Sequence, residues 1–206
     1  MYIPRSFAET DLPTLHDFIE RNSFGVLVSQ ADGSPFATHL PFFLDRTTGS
    51  KGTLIGHVAR ANPHWQHVTD QTVLAIFSGP HAYISPTWYD AENVVPTWNY
   101  LAVHVYGQVT LIEDPSSLLD IVQRSVSVYE SSFPQPWSLD SSAAYVKPLL
   151  NQIVGFRMEI AKIEGKFKLS QNHPIERREK VVAALHGRGG ENAEAIANAM
   201  ERTLPQ

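Results

Sequence analysis

The chain has no cysteine among its 206 residues. Disulfides, thiolate nucleophiles, cysteine-ligated zinc and iron–sulfur clusters are therefore excluded. Long apolar runs are missing too: no stretch approaches the roughly 18–20 residues that a membrane-spanning helix needs. The opening residues, "MYIPRSFAETD", hold no apolar segment of the kind a signal peptide requires. A cytoplasmic protein with no membrane partner is the expectation. GxGxxG and GxxxxGK[ST] are absent, so dinucleotide-fold and P-loop readings have no motif to rest on. Neither a GxSxG elbow nor an HExxH pair occurs.

What is present is material for a packed core. With 43% hydrophobic residues, the composition suits one domain, alone or with a small appendage. The net charge of −5 is unevenly placed. Residues 157–188 carry eight basic side chains against four acidic ones, and the rest of the chain carries eight against seventeen. An acidic body with a mildly basic tail is a poor nucleic-acid binder. It would suit a phosphate-bearing small ligand if the tail folds over the site.

Periodicity predicts the elements. "ETDLPTLHDFIERNS" reads as a helix capped by Asp11, with Leu12, Leu15, Phe18 and Ile19 on one face. "FGVLVSQADGSPFATHLPFFLD" reads as two strands around Asp32-Gly33. "TLIGHV" is a strand and "ARANPHWQHVTD" a loop or short helix. "TVLAIFSGPHAYISPTWY" predicts two strands turning at Gly79-Pro80, and "TWNYLAVHVYGQVTLI" alternates as a half-buried strand should. A helix capped by Asp114 and a shorter one at "LDSSAAYVKPLLNQ" come next. A long last strand is expected to bend or bulge near Gly165, before two C-terminal helices broken at Gly187–Gly190. This hairpin order predicts an α+β fold, an antiparallel β-barrel with peripheral helices and a C-terminal helical pair.

Nine histidines invite a metal reading, but no carboxylate–histidine spacing accompanies them, so no metal site is expected. Paired catalytic carboxylates are not evident: residues 53–110 hold only Asp70, Asp90 and Glu92. The unusual feature of that stretch is three of the four tryptophans, interleaved with amides, hydroxyls and histidines at strand ends and turns. Indoles placed there suit a planar heterocycle with a polar chain, or equally a dimer seam. Arg60, in "GHVARANPHW", suits a terminal phosphate, because its fork can hold two oxygens.

"MYIPRSF", "HLPFFLD", "GHVARANPHW", "FSGPHAYISPTWY", "VPTWNYLAVHVYG" and "KLSQN" follow one another along nearly the whole chain. Together they resemble the PaiB-type family of FMN-binding negative transcriptional regulators. The resemblance implies an FMN-binding split β-barrel over 1–172, with a helical extension over 173–206 packed on it. It implies a homodimer with flavin at the interface, and a link to repression of protease and sporulation genes. On this chain it implies FMN phosphate and ribityl at His57, Val58, Ala59, Arg60 and Asn62, and the ring beside Thr38, His39, Leu40 and Pro41. Tyr83, Ser85, Trp98 and Asn99 are candidate contacts from the partner subunit, and Lys168, Ser170 and Gln171 could close the site. Two functions stay open: a regulator with flavin as sensor or structural cofactor, and a flavin-dependent oxidoreductase in which His39, His81 or His104 moves protons. A haem-binding split barrel is a further alternative. Direct DNA binding is not expected, because the last predicted helix offers Arg202 as its one basic residue.

Overall fold

Residues 1–89 and 92–205 are described by the computed structural model; Asp90 lies outside them. The strands are β1 (Ala8–Glu9), β2 (Phe24–Ala31), β3 (Ser34–Pro41), β4 (Phe43–Asp45), β5 (Thr53–Ala59), β6 (Thr72–Ile84), β7 (Thr97–Ile112) and β8 (Ile153–Lys168). The helices are α1 (Leu12–Arg21), α2 (Pro115–Glu130), α3 (Val146–Leu150), α4 (Ile175–Arg188) and α5 (Glu191–Glu201). The strands form one sheet in the order β3-β2-β6-β7-β8-β5-β4, with β1 added to β8. β2–β3, β2–β6, β4–β5, β5–β8 and β1–β8 pair antiparallel. The α+β expectation holds.

Local chemistry explains most of the boundaries. Asp11 accepts the Thr14 N–H at 2.9 Å and Asp114 the Ser117 N–H at 2.8 Å, each satisfying a free donor of a first helical turn. Asp32 and Gly33, with φ of 50° and 78°, make the two-residue turn that joins β2 to β3 with Ala31 opposite Ser34. Gly189 and Gly190, at φ 68° and 91°, part α4 from α5. Gly187 stays inside α4, so the break is narrower than predicted.

One expectation needs correction. Gly79-Pro80 is no hairpin turn: β6 runs unbroken through it. Val73, Ala75 and Phe77 are buried before the dipeptide, Ala82 and Ile84 after it, so the buried face changes from odd to even positions. A glycine without a side chain and a proline without an N–H mark this slip in alternation rather than a reversal. Gly165 sits within β8, where it allows close approach. A Cβ there would lie 2.3 Å from the Leu15 side chain.

Two compact units share these strands. The first comprises Ile19–Phe77 and Val105–Ile163. Within it the ends of the sheet, β3 and β4, are separated in sequence by Phe42 alone. That residue is 1% exposed, with its ring 5.3 Å from Phe77 and 6.0 Å from Phe156. Its N–H bonds Ser23 O at 2.8 Å. Helix α2 lies against β8 at Gly155, where a Cβ would meet Ile121 and Leu118 at 2.8 and 2.9 Å. The second unit comprises Met1–Phe18, Ser78–His104 and Glu164–Gln206. Its core joins Ala82, Ile84, Tyr89 and Leu169 to Val181 and Leu185 of α4 and Ile196 and Met200 of α5.

Gly107 and Gly187 make opposite predictions. A Cβ at Gly107 would lie 2.0 Å from Glu159 O, whereas at Gly187 nothing stands within 4 Å. Gly107→Ala is expected to lower the urea-unfolding free energy by at least about 2 kcal/mol. Gly187→Ala should raise it by about 0.5–1 kcal/mol, because alanine loses less entropy in a helix.

Candidate functional site

The candidate residues fall into two groups, one in each unit. In the first unit the corner after β5 is built around His64. Pro63 confines Asn62 to extended backbone, observed at φ −79°, ψ 115°. Asn62 Oδ1 then accepts the His64 N–H at 3.0 Å, capping the 3-10 turn Pro63–Gln66. Asn62 Nδ2 donates to Thr38 Oγ1 at 3.1 Å. The buried His64 ring pairs with Thr38 Oγ1 at 2.8 Å and Ser29 Oγ at 2.9 Å, so both ring nitrogens have hydroxyl partners. That occupancy makes His64 a structural residue rather than a metal ligand. The Trp65 indole N–H donates to Arg60 O at 3.0 Å, which locks the corner from its other side.

Arg60 is partly engaged. Its Nε donates to Asn151 O at 2.9 Å, and its two terminal nitrogens donate to Glu113 Oε2 at 2.8 Å and Ile153 O at 3.1 Å. Three of its five N–H groups have partners among the described residues, and two have none there. Glu113 went unnoticed in the sequence. Its pairing with Arg60 is partly exposed and worth at most about 1 kcal/mol. Around this corner, Leu40 and Val58 are buried, Pro41 and His57 half-buried, and Ala59 exposed. His39 is exposed, its ring 6.3 Å from that of Phe24.

In the second unit Tyr83 and Trp98 form an exposed aromatic ledge, their rings edge-on at 5.9 Å, with His81 at 6.0 Å from Trp98. Ser85 caps its own turn by accepting the Thr87 N–H at 3.3 Å. Asn99 is fully buried and exchanges hydrogen bonds with Ser170 at 3.0 and 3.2 Å. Gln171 closes its loop internally, accepting the Leu169 N–H at 2.7 Å and donating to Phe167 O at 2.6 Å. Lys168 donates to the Thr97 hydroxyl and to Trp98 O. Asn99, Ser170 and Gln171 thus hold structure together, while Arg60, Tyr83, Trp98 and Lys168 present groups outward. Among the described residues, no three His, Asp or Glu side chains converge as a metal site would require.

The fold is an antiparallel split β-barrel that is also found in solved flavin proteins. Flavocytochrome Anf3 from Azotobacter vinelandii superimposes with a TM-score of 0.61 at 17% identity, over 81% of this chain and 72% of its own. The FAD and heme binding protein from Mycobacterium smegmatis gives 0.57 at 13%, over 89% and 80%. The chain matches the family model described as "Putative FMN-binding domain" over residues 1–162. It is 37% identical to the Bacillus subtilis (strain 168) "Protease synthase and sporulation protein PAI 2", over 99% of this chain and 98% of that protein. An uncharacterised Aspergillus fumigatus protein is 29% identical over 98% and 97%. The chain belongs to the FMN-binding family that includes the PaiB-type proteins, as its motifs led us to expect, and FMN is that family's cofactor.

The buried imidazoles make stability depend on pH. Burial pulls His57 and His64 below the ordinary 6.5, and the neighbouring His67 adds to the effect at His64. Below 6.5 the unfolded chain binds these protons more readily than the folded one. Their contribution is therefore complete above 6.5 and declines as pH falls toward the folded-state values. The urea midpoint should drop between pH 7.5 and pH 5.5, and His64→Gln should flatten that dependence. An unchanged pH slope in the variant would remove His64 from the account.

Proposed function

We propose that the corner formed by Thr38–Pro41, His57–Arg60 and Asn62 holds FMN in a PaiB-type regulator, with the flavin as sensor or structural cofactor. The observation that carries this reading is a corner fixed by its own hydrogen bonds that still leaves two Arg60 N–H groups open. Those two donors fit a pair of phosphate oxygens. When bound, FMN supplies the redox chemistry, and the protein's part is to hold and orient it. The exposed Tyr83 and Trp98 suit a partner subunit's flavin in a homodimer. Residues 1–172 act as the flavin domain and 173–206 as an extension, in a cytoplasmic protein.

Regulation proceeds without direct major-groove binding. Helix α5, ENAEAIANAME, carries no Lys or Arg, and its Glu194 and Glu201 pair with His186 at 2.6 and 3.1 Å. Carboxylates on this helix oppose DNA phosphates. The name of the Bacillus subtilis relative supports a regulatory role. His81 beside Trp98 favours a second reading, a flavin-dependent oxidoreductase, because an exposed imidazole next to a stacking surface can carry protons.

Purified protein should be yellow. A preparation that stays colourless with added FMN would sink the flavin reading, and a Soret band would replace it with haem. Arg60→Ala should weaken FMN binding by about 1.5–3 kcal/mol while leaving riboflavin, which lacks the phosphate, unaffected. Equal losses for both would move the phosphate away from Arg60. Oxidation of a reduced pyridine nucleotide that is lost in His81→Ala would favour the enzyme.

A further inference from the structure

We propose that the unit containing α4 and α5 carries a second ligand site, an oxyanion pocket that takes a small carboxylate or phosphate monoester with an apolar body. The site is a cavity of about 290 Å³ beside the "KLSQN" loop, bordered by Lys168, His173, Arg177, Thr97, Phe7 and Tyr89. This volume is at the lower end for small-molecule pockets. None of the described residues that line it is acidic.

Neither cation there has an anionic partner among the described residues. The Lys168 ammonium has a hydroxyl, the Trp98 carbonyl at 2.6 Å and the Phe7 ring at 5.9 Å as partners. Burial and the nearby Lys166 push its pKa down, the sign of a charge held without a counter-ion. Arg177 lies over the Tyr89 ring at 5.4 Å and gives one N–H to His173 Nδ1 at 3.2 Å. Arginine only donates, so Nδ1 of His173 is an acceptor and the neutral ring carries its hydrogen on Nε2. Burial, with Arg177 and Lys168 close by, keeps that ring neutral by lowering its pKa. Helix α4 starts two residues later behind Pro174, with no side-chain cap on its first turn. Lys168, Arg177 and His173 Nε2–H thus offer donors around one cavity, and Phe7, Tyr89 and Val94 offer a surface for a ring. A bound oxyanion would supply the counter-charge that the half-buried cations lack.

Calorimetry on the protein as purified tests this with three probes: benzoate, phenyl phosphate and uncharged phenol. At least one anion should bind saturably, one per chain and at least tenfold tighter than phenol. The better of the two identifies the headgroup. Arg177→Gln should weaken that binding tenfold or more, with flavin absorbance retained, and Arg177→Lys should recover most of it. No saturable binding of either anion, or equal binding of phenol, overturns the proposal. So does release of one FMN per anion bound, since the pocket would then belong to the flavin. Calorimetry reports the anion and absorbance the flavin, so failure of the pocket and failure of the flavin reading remain distinguishable.

Discussion

One residue joins the two ends of the sheet. β3 and β4 are its terminal strands, and Phe42 alone separates them in sequence. An open sheet leaves two edges of unpaired backbone groups. Here the chain passes directly from one edge to the other, so those edges are tethered by a single amino acid. Its ring is buried against Phe77 and Phe156, and its carbonyl accepts the Tyr129 hydroxyl at 3.2 Å. The hairpin register before it and the β4–β5 register after it both depend on that anchor. Thr38 lies four residues upstream, so the hydroxyl that holds His64 and Asn62 derives its position from the same tether.

The candidate corner is self-supporting. Asn62, Thr38, His64 and Ser29 satisfy one another, and Trp65 closes the far side. Preorganisation of this kind lowers the ordering cost of binding. Glu113 gives Arg60 a negative neighbour, with which the phosphate of the proposed flavin would compete. The basic loop around Lys168 has the opposite condition, positive charge with no acidic neighbour among the described lining residues.

Much of the architecture was legible in the sequence because it rests on short-range chemistry. Asp11, Asp114 and Asp32-Gly33 act within three residues of themselves, and the alternation of β7 is a period-two signal. Asn62 before Pro63 was legible for the same reason. The rest depends on partners distant in sequence. Glu113 and Asn151 meet Arg60 only after β5, β7 and β8 come together, and no local pattern marks them. Ser29 reads as an ordinary strand residue until His64 reaches it. Asn99 and Gln171 looked like ligand-facing amides, because composition does not reveal whether an amide points at the protein or away from it. Gly79-Pro80 carried a strong local turn signal, and the pairing of the flanking strand overrode it.

That dipeptide sets an antiphase boundary in β6. Phe77 and Ile84 are seven residues apart, an odd number, yet both face inward. A perfectly alternating strand of the same length would bury one and expose the other. The extra half-period lets a single uninterrupted strand serve two hydrophobic interiors with opposite parity, one centred on Phe77 and the other on Ile84. Loss of one residue between them would make the spacing six, which a regular strand places on one face without any slip. The slip is therefore tied to the number of residues in the segment as well as to its glycine and proline.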